Sequence, residues 1–199
     1  NTIENGSRPI EILLVEDNPG DARLVQAALA DHAPGEFLLT AVERLADALA
    51  QIASERFDAV LCDLGLPDST GAATAQAIAN RAPALPLVVL TGSHNEDLGR
   101  EAIRHGAQDY LVKGEAGGAM IARTLRYAIE RKRLEIGLRM ANEALERRVA
   151  ERTAELEAAI RKLGTSETRF RELTELSSDW YWEQDENLRF TWFSNGAML

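Results

Sequence analysis

Over the first 118 residues, five short apolar runs (residues 10–15, 37–42, 59–62, 85–90 and 110–112) alternate with amphipathic stretches at 19–31, 44–55, 70–82 and 95–106, and a fifth helix opens near Ala116. No other feature of the chain restricts its fold as tightly. The first and fourth runs are almost unbroken in Ile, Leu and Val, which suits strands covered on both faces rather than strands with one wet side. Pro19 fits the first turn of its helix, and Gly71 and Gly92 punctuate loops. Strand followed by helix, five times over, predicts an α/β fold: a five-stranded, doubly wound parallel sheet with right-handed crossovers and a site at the strand carboxyl ends.

Charge is shared unevenly along the chain. Residues 1–118 hold 18 acidic and 8 basic side chains and residues 119–199 hold 14 of each, so the whole net charge of −10 lies in the front part. That part lacks the basic stripe a phosphate-backbone binder needs, which argues against nucleic acid and favours a cation or a basic partner. A single cysteine, Cys62, excludes an internal disulfide and a Cys-pair zinc site, and His32, His94 and His105 show no metal-ligand spacing. The N-terminus has no basic stretch followed by an apolar one, and no apolar run nears the ~18 residues of a membrane span. A cytoplasmic chain away from the membrane is expected.

Ionisable and hydroxyl residues stand at four of the predicted strand ends: Glu16 and Asp17 after the first, Asp63 after the third, Thr91 after the fourth and Lys113 after the fifth. Parallel strands point their carboxyl ends to one edge, so these five should meet in one cleft. Carboxylates packed so closely repel, and a proton or a metal must offset that. Oxygen donors without His or Cys suit a hard divalent ion such as Mg²⁺. Lys113 and Thr91 add an ammonium and a hydroxyl, which together with the metal would form a receptacle for a phosphoryl group. Asp63, at the end of the central strand, is the natural nucleophile, giving an acyl phosphate.

The stretches Ile12-Leu13-Leu14-Val15-Glu16-Asp17-Asn18-Pro19, Cys62-Asp63-Leu64-Gly65-Leu66-Pro67-Asp68 with Gly71 following, Val89-Leu90-Thr91-Gly92 and Asp109-Tyr110-Leu111-Val112-Lys113-Gly114 occur in that order. On them the region 10–130 resembles the receiver domain of two-component response regulators, a flavodoxin-like fold. The resemblance implies that Asp63 accepts a phosphoryl group from a phosphohistidine on a sensor histidine kinase or phosphotransfer protein. It implies that Asp17, Asp63 and the Gly65 carbonyl bind Mg²⁺ while Glu16 assists through water, and that Lys113 pairs with the phosphoryl oxygens. Thr91 would move to hydrogen-bond one of them, and Tyr110 would be the aromatic switch that turns inward with it. Gly65 and Ser93 occupy family positions that vary and tune dephosphorylation.

The fifth helix outgrows a domain of this size. From Gly118 to Leu163 there is no proline and one interior glycine, Gly137, so a helix of ~45 residues and roughly 65 Å is allowed. Ile121, Leu125 and Ile129 recur at i, i+4 and i+8 and should pack on the sheet. Beyond them, Val149, Leu156 and Leu163 fall at heptad position a and Leu138 and Leu145 at d, a pattern that predicts a parallel, homodimeric coiled coil. Ile129 and Ile136 lie one place off that frame, so the apolar seam turns from sheet to partner near residue 137. Asn142 at a, and Arg152 and Ala159 at d, make the seam imperfect. Polar seam residues cost stability but set register. The Arg148-Val149-Ala150-Glu151-Arg152-Thr153-Ala154-Glu155-Leu156 stretch resembles the signalling helices that join sensor and output modules.

From Gly164 onward all three tryptophans appear, with a pattern of helix (166–176), strand (180–184), turn and strand (188–193). Phe170 to Leu173, Asp179 to Trp182 and Phe190 to Ser194 resemble the opening of a PAS domain, present here only in part. The expected plan is an N-terminal tail (1–9), a receiver (10–118), a helix running into a dimeric signalling coiled coil (119–163) and a truncated PAS-like segment (164–199). A PAS domain with a diguanylate cyclase, phosphodiesterase or histidine kinase is the expected downstream output, none of whose motifs is in this chain. The chemistry expected of the chain itself is self-catalysed phosphotransfer and autodephosphorylation. A constitutive dimerisation adaptor that leaves the cleft unused is the alternative. A phosphatase of the haloacid dehalogenase kind would carry a second Asp where Gly65 stands, and a DNA-binding regulator would need a helix-turn-helix that does not follow the receiver.

Overall fold

In the computed structural model, residues 8–92, 96–176 and 182–193 are described. The elements in chain order are β1 (Ile10–Val15), α1 (Pro19–His32), β2 (Phe37–Val42), α2 (Leu45–Ser54), β3 (Ala59–Asp63), β4 (Gly65–Leu66), β5 (Ser69–Thr70), α3 (Ala72–Arg81), β6 (Leu87–Thr91), α4 (Glu96–Arg104), β7 (Asp109–Val112), α5 (Gly118–Leu176), β8 (Trp182–Gln184) and β9 (Phe190–Phe193). The chain divides into two compact units between Arg139 and Met140.

The first unit is the predicted sheet, with strand order β2-β1-β3-β6-β7 and every pairing parallel. Strand periodicity sorts its apolar residues into two layers. Ile12, Leu14, Leu61, Val88 and Leu90 face α1 and α5, meeting Leu29, Ile121, Leu125 and Ile129. Leu13, Val15, Val60, Cys62 and Val89 face the other way, onto Ala48, Ala75, Ile78 and Ala102 of α2, α3 and α4. Both faces being covered is why the central strands read as continuous Val, Ile and Leu.

The strand ends differ from the hydropathy reading by a residue or two. Asp63 and Thr91 are the last residues of β3 and β6 rather than the first residues beyond them. The loop after Asp63 also contains a ribbon, β4 against β5, pairing Gly65 with Thr70 and Leu66 with Ser69. Strands of two residues have no periodicity for a sequence to display.

In the second unit the helical residues expose their large apolar side chains. Leu145, Val149, Leu156, Ile160 and Leu163 are 57–70% exposed. Gly164 does not end the helix, and residues 166–176 are its continuation rather than a separate element. A glycine in a helix interior costs only ~1 kcal/mol, which neighbouring good helix formers absorb. β8 and β9 form an antiparallel hairpin whose second strand begins at Phe190, two residues later than expected. Its rings touch, Trp182 edge-on to Phe190 at 5.4 Å and Phe190 to Phe193 at 5.1 Å. Of the PAS-like stretch, Asp179 to Tyr181 and Ser194 lie outside the described residues.

Candidate functional site

β1 and β3 are neighbours with Val15 opposite Cys62, so Glu16 and Asp63 leave the sheet at the same edge. The strand order also reverses here, since β2 lies beyond β1 and β6 beyond β3. Crossovers diverge to opposite faces at such a point and open a crevice at the carboxyl edge.

Local capping places the residues around it. Asn18 accepts a hydrogen bond from the Gly20 N–H at 2.8 Å, and Pro19 starts α1, so the chain turns directly after Asp17. The Asn18 N–H donates to Glu16 Oε1 at 3.2 Å. On the other side of Asp63, Gly71 takes φ +63°, a left-handed conformation that side chains disfavour, and its N–H donates to the Leu64 carbonyl at 2.8 Å. Asp68 accepts the Leu45 and Ala46 N–H groups, both at 3.0 Å, and so caps α2, whose N-cap residue Arg44 makes no side-chain cap bond. Those bonds hold the Asp68 carboxyl below the usual carboxylate range.

Lys113 is the centre of the cleft. Its N–H donates to the Thr91 carbonyl at 2.7 Å, which extends the β6–β7 ladder by one rung. Its Nζ lies 2.6 Å from Asp63 Oδ2, 2.6 Å from Glu16 Oε2 and 3.1 Å from Asp21 Oδ2. Burial lifts the Glu16 carboxyl above its ordinary range, and the Asp63 charge adds to that while the Lys113 ion pair opposes it. Burial also works against the Lys113 ammonium, but the bonds from Asp63 and Glu16 outweigh it and the net direction is upward. Lys113 therefore keeps its charge well into the alkaline range.

Carboxylate oxygens of Glu16, Asp17 and Asp63 lie within 4.8 Å of one another. Glu16 is fully buried, and although the ammonium is close to its Oε2 that contact lacks hydrogen-bond direction, so this oxygen has no aligned donor. Three hard oxygen donors, one of them buried and under-satisfied, fit a divalent cation such as Mg²⁺. The Gly65 N–H donates to Asp63 Oδ1 at 3.1 Å, and a side chain at Gly65 would stand 3.8 Å from that oxygen.

Of the five residues expected to meet, Glu16, Asp17, Asp63 and Lys113 do so. Thr91 is buried at the same edge, but its hydroxyl donates to the Leu111 carbonyl at 3.4 Å and is engaged with β7. Tyr110 is half-buried on β7, its ring so close over Gly99 of α4 that a Cβ there would lie 2.6 Å from Cγ. Leu138, Leu145, Val149, Leu156 and Leu163 are exposed residues of α5. Ser93 lies outside the described residues.

Asp21 and Gly99 were not legible as site residues. Asp21 had one available signal, its place in the first turn of the helix that leaves β1 at the cleft edge. It also lines a cavity of about 270 Å³ that Lys113 and Glu16 share with the apolar Leu24, Val25 and Ile121. Among the described residues, no helix is long and apolar enough to cross a membrane.

The response regulator receiver domain family matches residues 12–125. The chain is 35% identical over 104 residues to the transcriptional regulatory protein ZraR of Salmonella typhimurium, covering 52% of this chain and 23% of that protein. It is 36% identical over 100 residues to the regulatory protein LuxO of Vibrio cholerae, 50% and 21% of the two lengths. The chain thus spans under a quarter of these relatives. Among solved structures, the signal receiver domain of an HD domain-containing protein from Pseudomonas fluorescens superposes with a TM-score of 0.58 at 26% identity, covering 69% of this chain and 98% of that one. With more than half of its length matched by the family, on the parallel sheet and acidic edge described above, the chain belongs to the response regulator receiver domains of two-component systems.

Proposed function

We propose that Asp63 is the phosphoacceptor of a phosphorelay and that the state of the cleft is passed on through a dimeric helix. The observation that carries the first part is the Lys113 ammonium held 2.6 Å from both Asp63 and Glu16 beside the Glu16, Asp17 and Asp63 cluster. An Asp63 carboxylate oxygen attacks the phosphorus of a phosphohistidine, the P–N bond breaks, and the imidazole leaves with the bonding pair and takes up a proton. Lys113 offers N–H donors to the equatorial oxygens, where charge gathers in the transition state. Glu16, Asp17 and Asp63, with the Gly65 carbonyl, would hold Mg²⁺, which supplies further neutralisation of that charge. The phosphoryl donor is a sensor histidine kinase or phosphotransfer protein.

Phosphorylation adds a charge of about −1.5 to −2 to the cleft. Thr91 then leaves the Leu111 carbonyl for a phosphoryl oxygen, and Tyr110 repacks beside it. Since α5 follows β7 directly, the change reaches the helix whose seam residues Leu138, Leu145, Val149, Leu156 and Leu163 pair in a parallel homodimer. Residues 10–118 act as the receiver, 119–163 as the signalling helix, and 164–199 as the start of a PAS-like segment ahead of an output module.

Two measurements test this reading. Phosphohistidine donor with Mg²⁺ should label the wild type, and Asp63→Asn should lose more than ~99% of the label, as expected for loss of a nucleophile. Beryllofluoride with Mg²⁺ should alter dimer population or hydrogen exchange along α5 in the wild type only. Equal behaviour of wild type and Asp63→Asn would sink the switch.

A further inference from the structure

Lys113 has three N–H donors and no acceptor. Three carboxylates stand on that one ammonium: Glu16 at 2.6 Å, Asp63 at 2.6 Å and Asp21 at 3.1 Å. Its hydrogen bonds go to Asp63 and Asp21, while Glu16 Oε2 stands as close without an aligned N–H, so a phosphoryl oxygen arriving on Asp63 enters a shell of three carboxylates and competes with them for the ammonium. Glu16 is the hardest to move, because its side chain is fully buried and has no water to turn to. Asp63 stays by construction, since it carries the group. Asp21 has the longest contact, its side chain is 36% exposed, and water can replace the ammonium there.

We infer that Asp21 is the exchangeable partner of Lys113, a positioning residue that occupies one donor in the unphosphorylated cleft and yields it to the phosphoryl oxygen. The inference rests on the phosphoacceptor reading and adds to it a residue that sets how readily the cleft accepts the group. Asp21 acts in two ways of the same sign. It competes for the donor, and its charge repels the incoming oxygens. Removing its charge should therefore favour the occupied state, whereas a residue that merely supported Lys113 would weaken that state when lost.

The test is isothermal titration of the full chain with beryllofluoride and Mg²⁺, comparing wild type, Asp21→Asn, Asp21→Ala and Asp21→Glu. Asp21→Asn and Asp21→Ala should bind about fivefold more tightly, the scale of one freed hydrogen-bond donor, and Asp21→Glu should stay near wild type. The gain should persist at 1 M salt, where the Debye length is only about 3 Å and diffuse repulsion is screened. Unchanged or weaker binding by both neutral variants, with wild type binding normally, overturns the inference alone. So does a gain that vanishes in salt. No binding by wild type overturns the phosphoacceptor reading together with the inference.

Discussion

Leu61 in β3 and Leu156 in α5 are the same residue type with opposite surroundings: the first is 0% exposed and the second 64%. The contrast holds for the units they belong to. In the sheet unit, apolar residues from both strand faces find partners on α1 to α5 of the same chain. In the second unit the helix holds its leucines and valine out on a regular stripe. Burial of apolar surface is what stabilises a fold, so the first unit carries its own reason to be folded while the second has one only when something covers the stripe. One sequence thus contains a self-sufficient domain and a helix that keeps a stripe of apolar side chains exposed.

The largest expected effect breaks the comparison at its buried end. Leu61→Ala should cost the receiver unit about 3 kcal/mol, read from denaturant unfolding, whereas Leu156→Ala should change unfolding of the same unit by less than about 0.5 kcal/mol. Equal losses would mean that the helix stripe is as much a core as the sheet. At the other end, Leu156→Glu with Leu163→Glu should reduce self-association more than about tenfold in sedimentation equilibrium and leave the receiver transition in place, since a charge in a heptad seam must be desolvated.

A smaller effect probes how tightly the sheet unit is packed near the cleft. Gly99→Ala puts a methyl 2.6 Å from the Tyr110 ring. The ring must move, at a cost of roughly 1–3 kcal/mol for overpacking, and its NMR signals should shift while those of Leu61 do not. The smallest effect concerns a surface clamp. Arg126 of α5 forks onto Glu36 with both contacts at 2.6 Å, and these bonds hold the Glu36 carboxyl below its usual range. A depressed carboxylate contributes stability that is present above its ordinary titration range and is lost as pH falls through the lower native value. Glu36→Gln should therefore cost less than about 1 kcal/mol at neutral pH, as expected for an exposed pair, seen as a slightly lower melting temperature, and the gap to wild type should close on acidification.

The same division separates what was legible in the sequence from what was not. Long apolar runs announce strands buried on both faces, and the order of strands and helices then dictates which ends converge, so the sheet and the meeting of Glu16, Asp17, Asp63 and Lys113 could be read without coordinates. Asp21 could not, because its role depends on the reach of Lys113 across 92 residues of sequence. Gly99 escaped because a glycine inside a helix looks like a weak helix former until the ring above it is seen. The cap of α2 by Asp68 was equally hidden, since donor and acceptor are 22 and 23 residues apart. The Gly164 boundary misled for the converse reason. Local propensity argued for a stop that the flanking helix formers overrode.

A helix unbroken from Gly118 to Leu176 converts residue count into angle. Each residue inserted or removed within it turns the C-terminal part of the helix by about 100° relative to the N-terminal part and shifts it by about 1.5 Å. Seven residues nearly restore the original facing and three or four leave it within about 60°, whereas one, two or five turn the stripe to another side. The number of residues in this stretch is therefore a variable in its own right: under the proposed relay through α5, heptad deletions should leave the stripe in phase, and deletions of one, two or five residues should rephase it.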